Sequence, residues 1–120
     1  MTPFGAKLRA MRKERGVLLK DMAEDIGVSP TYLSALEHGR RGQPSWVFVQ
    51  RVIQFFNVIW DDAEELQRLA DMSHPRVVVD TAGLDPRATL LANRLSRRIA
   101  ELDGPALDKL LKELEPKKRR

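Results

Sequence analysis

Cysteine is absent from the 120-residue sequence, and histidine occurs only twice, at His38 and His74. The lack of thiols excludes disulfide bonds and thiolate metal sites, and it suits a reducing cytoplasm. Two distant histidines give no metal-ligand spacing, so we expect no metal site. Apolar runs such as Val77–Val79 are far too short to span a bilayer, and the start MTPFGAKLRA lacks the apolar core of a secretory signal. We therefore expect a cytoplasmic protein without membrane contact.

The motifs of common catalytic sites are also absent. The sequence contains no nucleophile elbow, no glycine-rich phosphate loop and no HExxH pair. Its length allows one compact domain with an appendage, and it leaves no room for two large enzyme domains. We therefore expect a protein without enzyme activity, without catalytic residues and without a cofactor.

The net charge of +4 is unevenly distributed along the chain. Residues 1–45 carry three net positive charges, residues 46–72 carry three net negative charges, and residues 73–120 carry four net positive charges. A basic surface is typical of proteins with a polyanionic partner, but ordinary solvated charge gives the same counts. The charge alone leaves both interpretations open.

Proline and glycine delimit three helices at the start of the chain. The first follows a capping Thr2 and stops at Gly16, the second covers about residues 19–26, and the third is capped by Ser29 and stops at Gly39. Their apolar positions recur at helical spacing. These positions are Phe4, Leu8, Met11, Leu19, Met22, Ala23, Ile26, Leu33 and Leu36.

Two further helices are predicted before residue 72. Ser45 caps the fourth, which ends at Asn57, and Asp61 with Glu64 forms a capping box that opens the fifth. The expected inward positions are Val47, Val49, Val52, Ile53, Phe56, Ala63, Leu66, Leu69 and Ala70. For the tryptophans at the openings of these helices, packing in a core or an interface is favoured over stacking on bases. They are Trp46 and Trp60.

The remaining chain predicts a linker, two helices and a tail. Residues 73–83 lose helical periodicity and allow a short strand at Val77–Val79. Asp85 precedes a helix that runs to about residue 102, and Asp103 caps a last helix over about residues 105–114. The sequence thus predicts an all-α fold, with five helices in residues 1–72, a linker at 73–83, two C-terminal helices in 84–115 and a basic tail at 116–120.

The stretch LLKDMAEDIGVSPTYLSALEHGRR resembles the helix-turn-helix of the Xre type, the family of phage repressors and their bacterial relatives. The pattern consists of a small residue where two helices cross, a left-handed turn, a buried turn residue and two inward anchors. These are Ala23, Gly27, Val28, Leu33 and Leu36. The resemblance covers about residues 4–69 and implies a five-helix, phage-repressor-like domain whose third helix enters the DNA major groove.

The same resemblance implies six base-reading residues on the third helix. Five lie on its exposed face and the last at the edge of that face: Ser29, Pro30, Thr31, Ser34 and Ala35, with Tyr32 at the edge. Hydroxyl groups can bond several base edges, and the methyl groups of Thr31 and Ala35 and the ring of Pro30 suit thymine methyls. None of these six residues is an arginine or a glutamine, which could bind guanine or adenine through two hydrogen bonds. We therefore expect modest direct readout, with larger contributions from phosphate contacts and DNA shape.

The resemblance places phosphate contacts around this helix, at Lys20, His38, Arg40, Arg41 and Gln43. The family often has a polar residue where this chain has Leu19, and Lys20 is the expected replacement. Arg12 and Glu37 match positions that pair across the first and third helices in similar proteins, so we expect them to form a structural ion pair.

The last two helices carry leucine-rich stripes that must pack against another surface. Their residues are Leu91, Leu95, Ile99, Leu102, Leu107, Leu110, Leu111 and Leu114. The helices can fold back on their own chain as a hairpin or pack against a second copy. We favour dimerisation, because two-fold symmetry doubles the footprint of a single recognition helix. The terminal KKRR either attracts phosphate or keeps the protein soluble.

The primary hypothesis is a homodimeric, sequence-specific transcriptional regulator on the bacterial or phage nucleoid. It would repress by occupying a two-fold symmetric operator in double-stranded DNA, and repression is implied by the resemblance alone. The alternative is an interaction protein. It would be an antitoxin that binds its partner through the C-terminal helices, or an adaptor that contacts the transcription machinery through those helices or the acidic face at residues 61–65.

Overall fold

The computed structural model describes residues 1–116, and these residues form seven α-helices, one 3₁₀ turn and no strand. The helices are α1 Pro3–Glu14, α2 Leu19–Ile26, α3 Pro30–Glu37, α4 Trp46–Phe56, α5 Trp60–Asp71, α6 Pro86–Arg98 and α7 Gly104–Glu113. The all-α prediction is confirmed. The chain divides into two compact units, Met1–Val77 and the part that begins at Val78. The predicted basic tail lies outside the described residues except for Pro116.

Hydroxyl side chains fix the starts of three helices in the first unit. Thr2, Ser29 and Ser45 have extended backbones, and each side chain accepts a hydrogen bond from the backbone N–H three residues further on, at 3.1, 3.0 and 3.1 Å. This bond satisfies one of the amides that a helix leaves without an internal partner. The starts predicted for α1, α3 and α4 are confirmed.

The core lies entirely in the first unit, where α1–α5 pack against one another. Its buried apolar residues are Phe4, Leu8, Met22, Ala23, Ile26, Leu33, Leu36, Phe48, Val49, Val52, Phe56, Leu66 and Ala70. The prediction for Val47 is wrong, because this side chain is 54% exposed and Phe48 takes the inward position. At 100° per residue, Val47 shares the solvent face with Arg51 and Gln54.

The opening of α5 also differs from the prediction. The helix begins at Trp60 after Ile59, without a side-chain cap, so Asp61 lies inside the first turn instead of capping it. Acidic side chains in a first turn stabilise a helix through its positive end, which explains the acidic sequence without a capping box. Trp60 has φ +51° and is 83% exposed, and Trp46 is 65% exposed. The core interpretation is therefore wrong for both tryptophans.

A buried ion pair joins α3 to α1. Arg12 Nε lies 2.7 Å from one carboxylate oxygen of Glu37 and its Nη2 lies 3.0 Å from the other, while Nη1 donates to the Val17 carbonyl at 3.0 Å. The pKa of Arg12 is raised, mainly by the hydrogen bond to Glu37. Desolvation lowers this pKa, and the negative charge of Glu37 raises it further. Because Glu37 is only 1% exposed, the pair fixes the position of α3.

Ser73 closes the first unit by joining its two ends. It is 2% exposed, and its hydroxyl accepts from the backbone N–H of Phe4 at 2.9 Å and donates to the carbonyl of Leu69. The short strand that the sequence allows at Val77–Val79 does not form, because these residues are irregular and 63–94% exposed. No neighbouring strand pairs with them in residues 1–116.

The described part of the second unit, residues 78–116, contains helices but no core. Asp85 and Asp103 cap α6 and α7 as predicted, by accepting from backbone N–H groups at 2.8 and 3.0 Å. The first of these helices ends at Arg98 and continues as a 3₁₀ turn over Ile99–Glu101, so the prediction of one α-helix to residue 102 is wrong for this last turn. No residue between 78 and 116 is buried.

Within residues 1–116, no helix has both the length and the apolar composition needed to cross a membrane.

Candidate nucleic-acid interface

A tight turn joins α2 to α3. Gly27 has φ +88°, a conformation that side chains with a Cβ rarely adopt, and its N–H donates to the carbonyl of Ala23 at 2.9 Å. Val28 donates to the same carbonyl at 3.0 Å and packs against the core. Ala23 itself is fully buried, and its small side chain lets the two helices approach closely. The turn therefore holds the helices in a fixed relation, as a helix-turn-helix requires.

Helix α3, the predicted recognition helix, has one face in the core and one face in solvent. Leu33, Leu36 and Glu37 are buried, which fixes the helix on α1 and α2. The six predicted base-reading residues lie on the rest of its surface. Ser29, Pro30 and Thr31 are exposed at the N-terminal end, whereas Tyr32, Ser34 and Ala35 are half-buried. The N-terminal end of the helix is thus the part most open to a large partner.

Ser29 combines two roles at this end. Its hydroxyl oxygen accepts the N–H of Tyr32, which caps the helix. A hydroxyl also has one proton to donate, and the cap leaves that proton available to an acceptor on a base or a phosphate. Pro30 follows at the first helical position, where its missing N–H costs no helical hydrogen bond.

The loop after α3 presents two arginines. Gly39 ends the helix with φ +72°, and the N–H of Arg40 returns to the carbonyl of Ala35 at 2.8 Å. A Cβ at Gly39 would lie 2.9 Å from the backbone nitrogen of Thr2, so only glycine fits against the N-terminus. Arg40 and Arg41 both expose their side chains beside the end of α3. The loop therefore brings two positive charges to the edge of the recognition helix.

Two other predicted phosphate ligands already have protein partners. His38 Nδ1 lies 2.8 Å from the Ser34 carbonyl, which can only accept, so Nδ1 holds the proton there. The other ring nitrogen, Nε2, can then donate to a phosphate only in the imidazolium form. The side-chain amide of Gln43 donates to Asp71 at 3.4 Å. Both side chains are exposed, but one polar group of each is already engaged in a hydrogen bond within the protein.

Lys20 lies at the start of α2. Its side chain is exposed, and the preceding Leu18 gives the helix no side-chain cap. The first amides of α2 therefore lack a capping hydroxyl or carboxylate, which is the usual setting for an anion at a helix start. The ammonium group and these amides belong to the same turn of the helix.

One structural residue behind this surface was missed by the sequence interpretation. Gly5 is buried within α1, and a Cβ at this position would collide with the carbonyl oxygen of Leu36 in α3. The two helices can approach this closely only because residue 5 has no side chain. An isolated glycine inside a helical pattern was the available signal.

The first 77 residues therefore contain a helix-turn-helix in which the N-terminal end of α3 is exposed. The family model described as "Helix-turn-helix domain" matches residues 3–69, which is more than half of the chain. The chain belongs to this helix-turn-helix family, and the resemblance to the Xre type is confirmed.

Two curated relatives come from Bacillus subtilis strain 168. The HTH-type transcriptional regulator SinR is 35% identical over 55 residues, which is 46% of this chain and 50% of SinR. The HTH-type transcriptional repressor RghR is 31% identical over 61 residues, 51% of this chain and 45% of RghR. The chain thus spans about half the length of the curated relatives it matches. A solved structure titled as a complex of the SinR and SinI proteins is 24% identical, with a TM-score of 0.46, over 92% of this chain and 93% of that one.

Proposed function

We propose that this protein is a transcriptional regulator that binds specific double-stranded DNA sequences through the major groove. The observation that carries the proposal is the position of α3. Its buried face is held by Leu33, Leu36 and Glu37, while its N-terminal end is exposed beside Arg40 and Arg41. This arrangement lets the helix end meet base edges while the arginines meet the phosphates. A protein with this function works in the cytoplasm, on the nucleoid.

Dimerisation is the second part of the proposal. One recognition helix covers only a few base pairs, and a two-fold symmetric pair doubles that footprint. The stripes on α6 and α7 supply an apolar surface for a second copy, because Leu91, Ile99, Leu111 and Leu114 are 50–68% exposed. A dimer that occupies a promoter blocks transcription, so we propose a repressor. The description of RghR as a repressor supports this choice.

Binding titrations test DNA recognition. Sites recovered by genome-wide crosslinking would be titrated at two salt concentrations with the wild type, Thr31→Ala and Arg40→Ala. We expect Thr31→Ala to weaken binding to the recovered sites more than binding to unrelated DNA, because it removes a base contact. We expect Arg40→Ala to weaken both equally and to lower the salt slope by about one. An equal loss on all DNA from Thr31→Ala would contradict the base-reading role.

Sedimentation equilibrium tests the dimer. Leu91→Asp places a charge in the apolar stripe and should convert the protein to a monomer, since a buried unpaired carboxylate is costly. Ser96→Asp adds the same charge outside the stripe and is the matched control. If the wild type is monomeric at every concentration, or if both variants stay dimeric, the C-terminal stripes are not the dimer interface. Recovered sites without two-fold symmetry would also argue against the dimeric operator.

A protein partner is the second candidate function, and the same stripes favour it. An antitoxin or an adaptor would cover these leucines with another chain, although the acidic α5 offers an adaptor a different surface. Affinity purification from the source cells should then recover a stoichiometric partner. Binding of that partner should survive Thr31→Ala and should be lost in Leu91→Asp. A dimeric repressor without such a partner should give neither result.

A further inference from the structure

A line of contacts leads from the core to one arginine on the proposed DNA surface. The Arg41 guanidinium carbon lies 5.5 Å from the centre of the Tyr32 ring. That ring meets the ring of Phe48 edge-on at 5.7 Å, and Phe48 meets Phe4 at 6.5 Å. Phe48 and Phe4 are 5% and 1% exposed. The ring of Tyr32 is therefore anchored on the core, and Arg41 rests on that ring.

Stacking limits the freedom of an arginine that is otherwise exposed. A free arginine must give up much of its rotamer freedom when it binds a phosphate, and this loss weakens the contact. A guanidinium over an aromatic face keeps its N–H groups at the edge of its plane, where they can still donate to phosphate oxygens. Arg41 has therefore already lost part of its rotamer freedom in the free protein, so less conformational entropy is lost when DNA binds.

Arg40 provides the internal comparison. It is adjacent in the chain and is also exposed, and its backbone N–H donates to the carbonyl of Ala35. Within residues 1–116, no aromatic ring lies under its guanidinium, whereas Arg41 has Tyr32. The two arginines therefore differ in preorganisation and not in charge.

We infer that Tyr32 is a positioning residue that holds Arg41 for a DNA phosphate, and that its contribution to binding comes from its ring and not from contact with a base. The inference rests on the proposed DNA-binding function and deepens it. A cation–π contact at an exposed site is worth about 0.5–1 kcal/mol, which corresponds to a two- to five-fold change in affinity.

A double-mutant cycle on a recovered DNA site tests the coupling. The variants are Tyr32→Phe, Tyr32→Leu, Arg41→Ala and the double variant Tyr32→Leu/Arg41→Ala. We expect Tyr32→Phe to bind like the wild type, because it keeps the ring. Tyr32→Leu should lose about two- to five-fold and shift the salt slope toward that of Arg41→Ala. The double variant should bind no more weakly than Arg41→Ala, because both changes remove the same contact.

The matched control is a second double-mutant cycle, in which Arg40→Ala takes the place of Arg41→Ala. Losses from Tyr32→Leu and Arg40→Ala should multiply, because Arg40 does not rest on the ring. If the losses from Tyr32→Leu and Arg41→Ala also multiply, the inference is wrong. If Tyr32→Phe loses as much as Tyr32→Leu, the hydroxyl acts on DNA directly and the inference is again wrong. Should Tyr32→Leu fail to fold, Tyr32→Met gives a flexible apolar replacement without an aromatic face.

A measurement on the free protein examines the stack itself. The side-chain protons of Arg41 should show an upfield ring-current shift in the NMR spectrum of the wild type and of Tyr32→Phe, and should lose it in Tyr32→Leu. A wild type without this shift overturns the inference and leaves the proposed function intact. A wild type that binds no DNA overturns the proposed function and, with it, the role of Tyr32.

Discussion

The two units of the chain use the same kind of helix with opposite results. In the first unit, amphipathic helices bury their apolar faces against one another, and Leu8, Leu33 and Val52 are completely excluded from solvent. In the second, α6 and α7 both have side-chain caps, yet none of their residues is buried. Capping and periodicity act locally, whereas burial needs a partner surface. Residues 78–116 therefore have the caps and apolar periodicity of packed helices, but none of these residues is buried.

One ion pair from each unit illustrates the same difference, although the first unit also has an exposed pair of Arg68 with Glu65. The pair of Arg12 with Glu37 is almost completely buried and has two hydrogen bonds. In the second unit, the pair of Arg98 with Glu101 has both side chains more than 60% exposed. Water screens an exposed pair, so its loss matters little, whereas a buried carboxylate without its partner is costly.

Breaking both pairs should give the largest contrast between the units. We expect Arg12→Met to lower the free energy of unfolding by about 3–5 kcal/mol, because it leaves the carboxylate of Glu37 buried and unpaired. The matched Arg98→Met should cost less than about 1 kcal/mol. Urea denaturation followed by far-ultraviolet circular dichroism measures both.

A compensating variant identifies the source of the loss. Arg12→Met/Glu37→Leu removes the carboxylate together with its partner, and it should recover most of the stability. If this double variant is as unstable as Arg12→Met, the buried charge is not the cause. Equal losses from Arg12→Met and Arg98→Met would remove the contrast between the two units.

Helix boundaries were the feature best predicted from the sequence. The range of α2 was predicted as 19–26 and is Leu19–Ile26 in the structure. Glycine stops and hydroxyl or carboxylate caps act through a few neighbouring backbone groups, so their effect can be recognised without knowledge of the fold. The same reason explains why the caps at Asp85 and Asp103 can be predicted although residues 78–116 form no core.

Features that depend on distant residues were not recoverable. Val47, Phe48 and Val49 are consecutive apolar residues, and only the position of the other helices decides which of them faces inward. The same limit applies to the site. The family resemblance puts Tyr32 at the edge of the predicted recognition helix, but its contacts with Phe48 and Arg41 are set by tertiary packing. Periodicity assigns residue types to a helix face but does not identify their partners, and the partnership of Arg12 with Glu37 was expected only from the family resemblance.

Truncating one leucine in each unit should give the next largest contrast. Leu66 is 1% exposed and Leu111 is 65% exposed. We expect Leu66→Ala to cost about 3 kcal/mol through lost burial and a cavity, and Leu111→Ala to change stability by less than about 0.5 kcal/mol in dilute solution. Urea denaturation at low and high protein concentration measures both. A cost of Leu111→Ala that grows with concentration would indicate that association buries this leucine, whereas a large cost in dilute monomer would contradict its exposure.

The smallest contrast concerns the side chains that bond helix ends. Ser73 is buried and joins Phe4 to Leu69 across the whole first unit, whereas Asp103 is exposed and caps α7 locally. We expect Ser73→Ala to cost about 1–2 kcal/mol, because the N–H of Phe4 loses its acceptor in a site that water cannot reach. Asp103→Ala should cost at most about 1 kcal/mol and should act on α7 alone. Hydrogen exchange separates the two, since loss of Ser73 should speed exchange throughout α1 and α5, and loss of Asp103 only in α7. If Ser73→Ala speeds exchange only in the first turn of α1, this serine acts as a local cap like Asp103. Loss of a side chain that joins the two ends of the first unit should instead speed exchange in both α1 and α5.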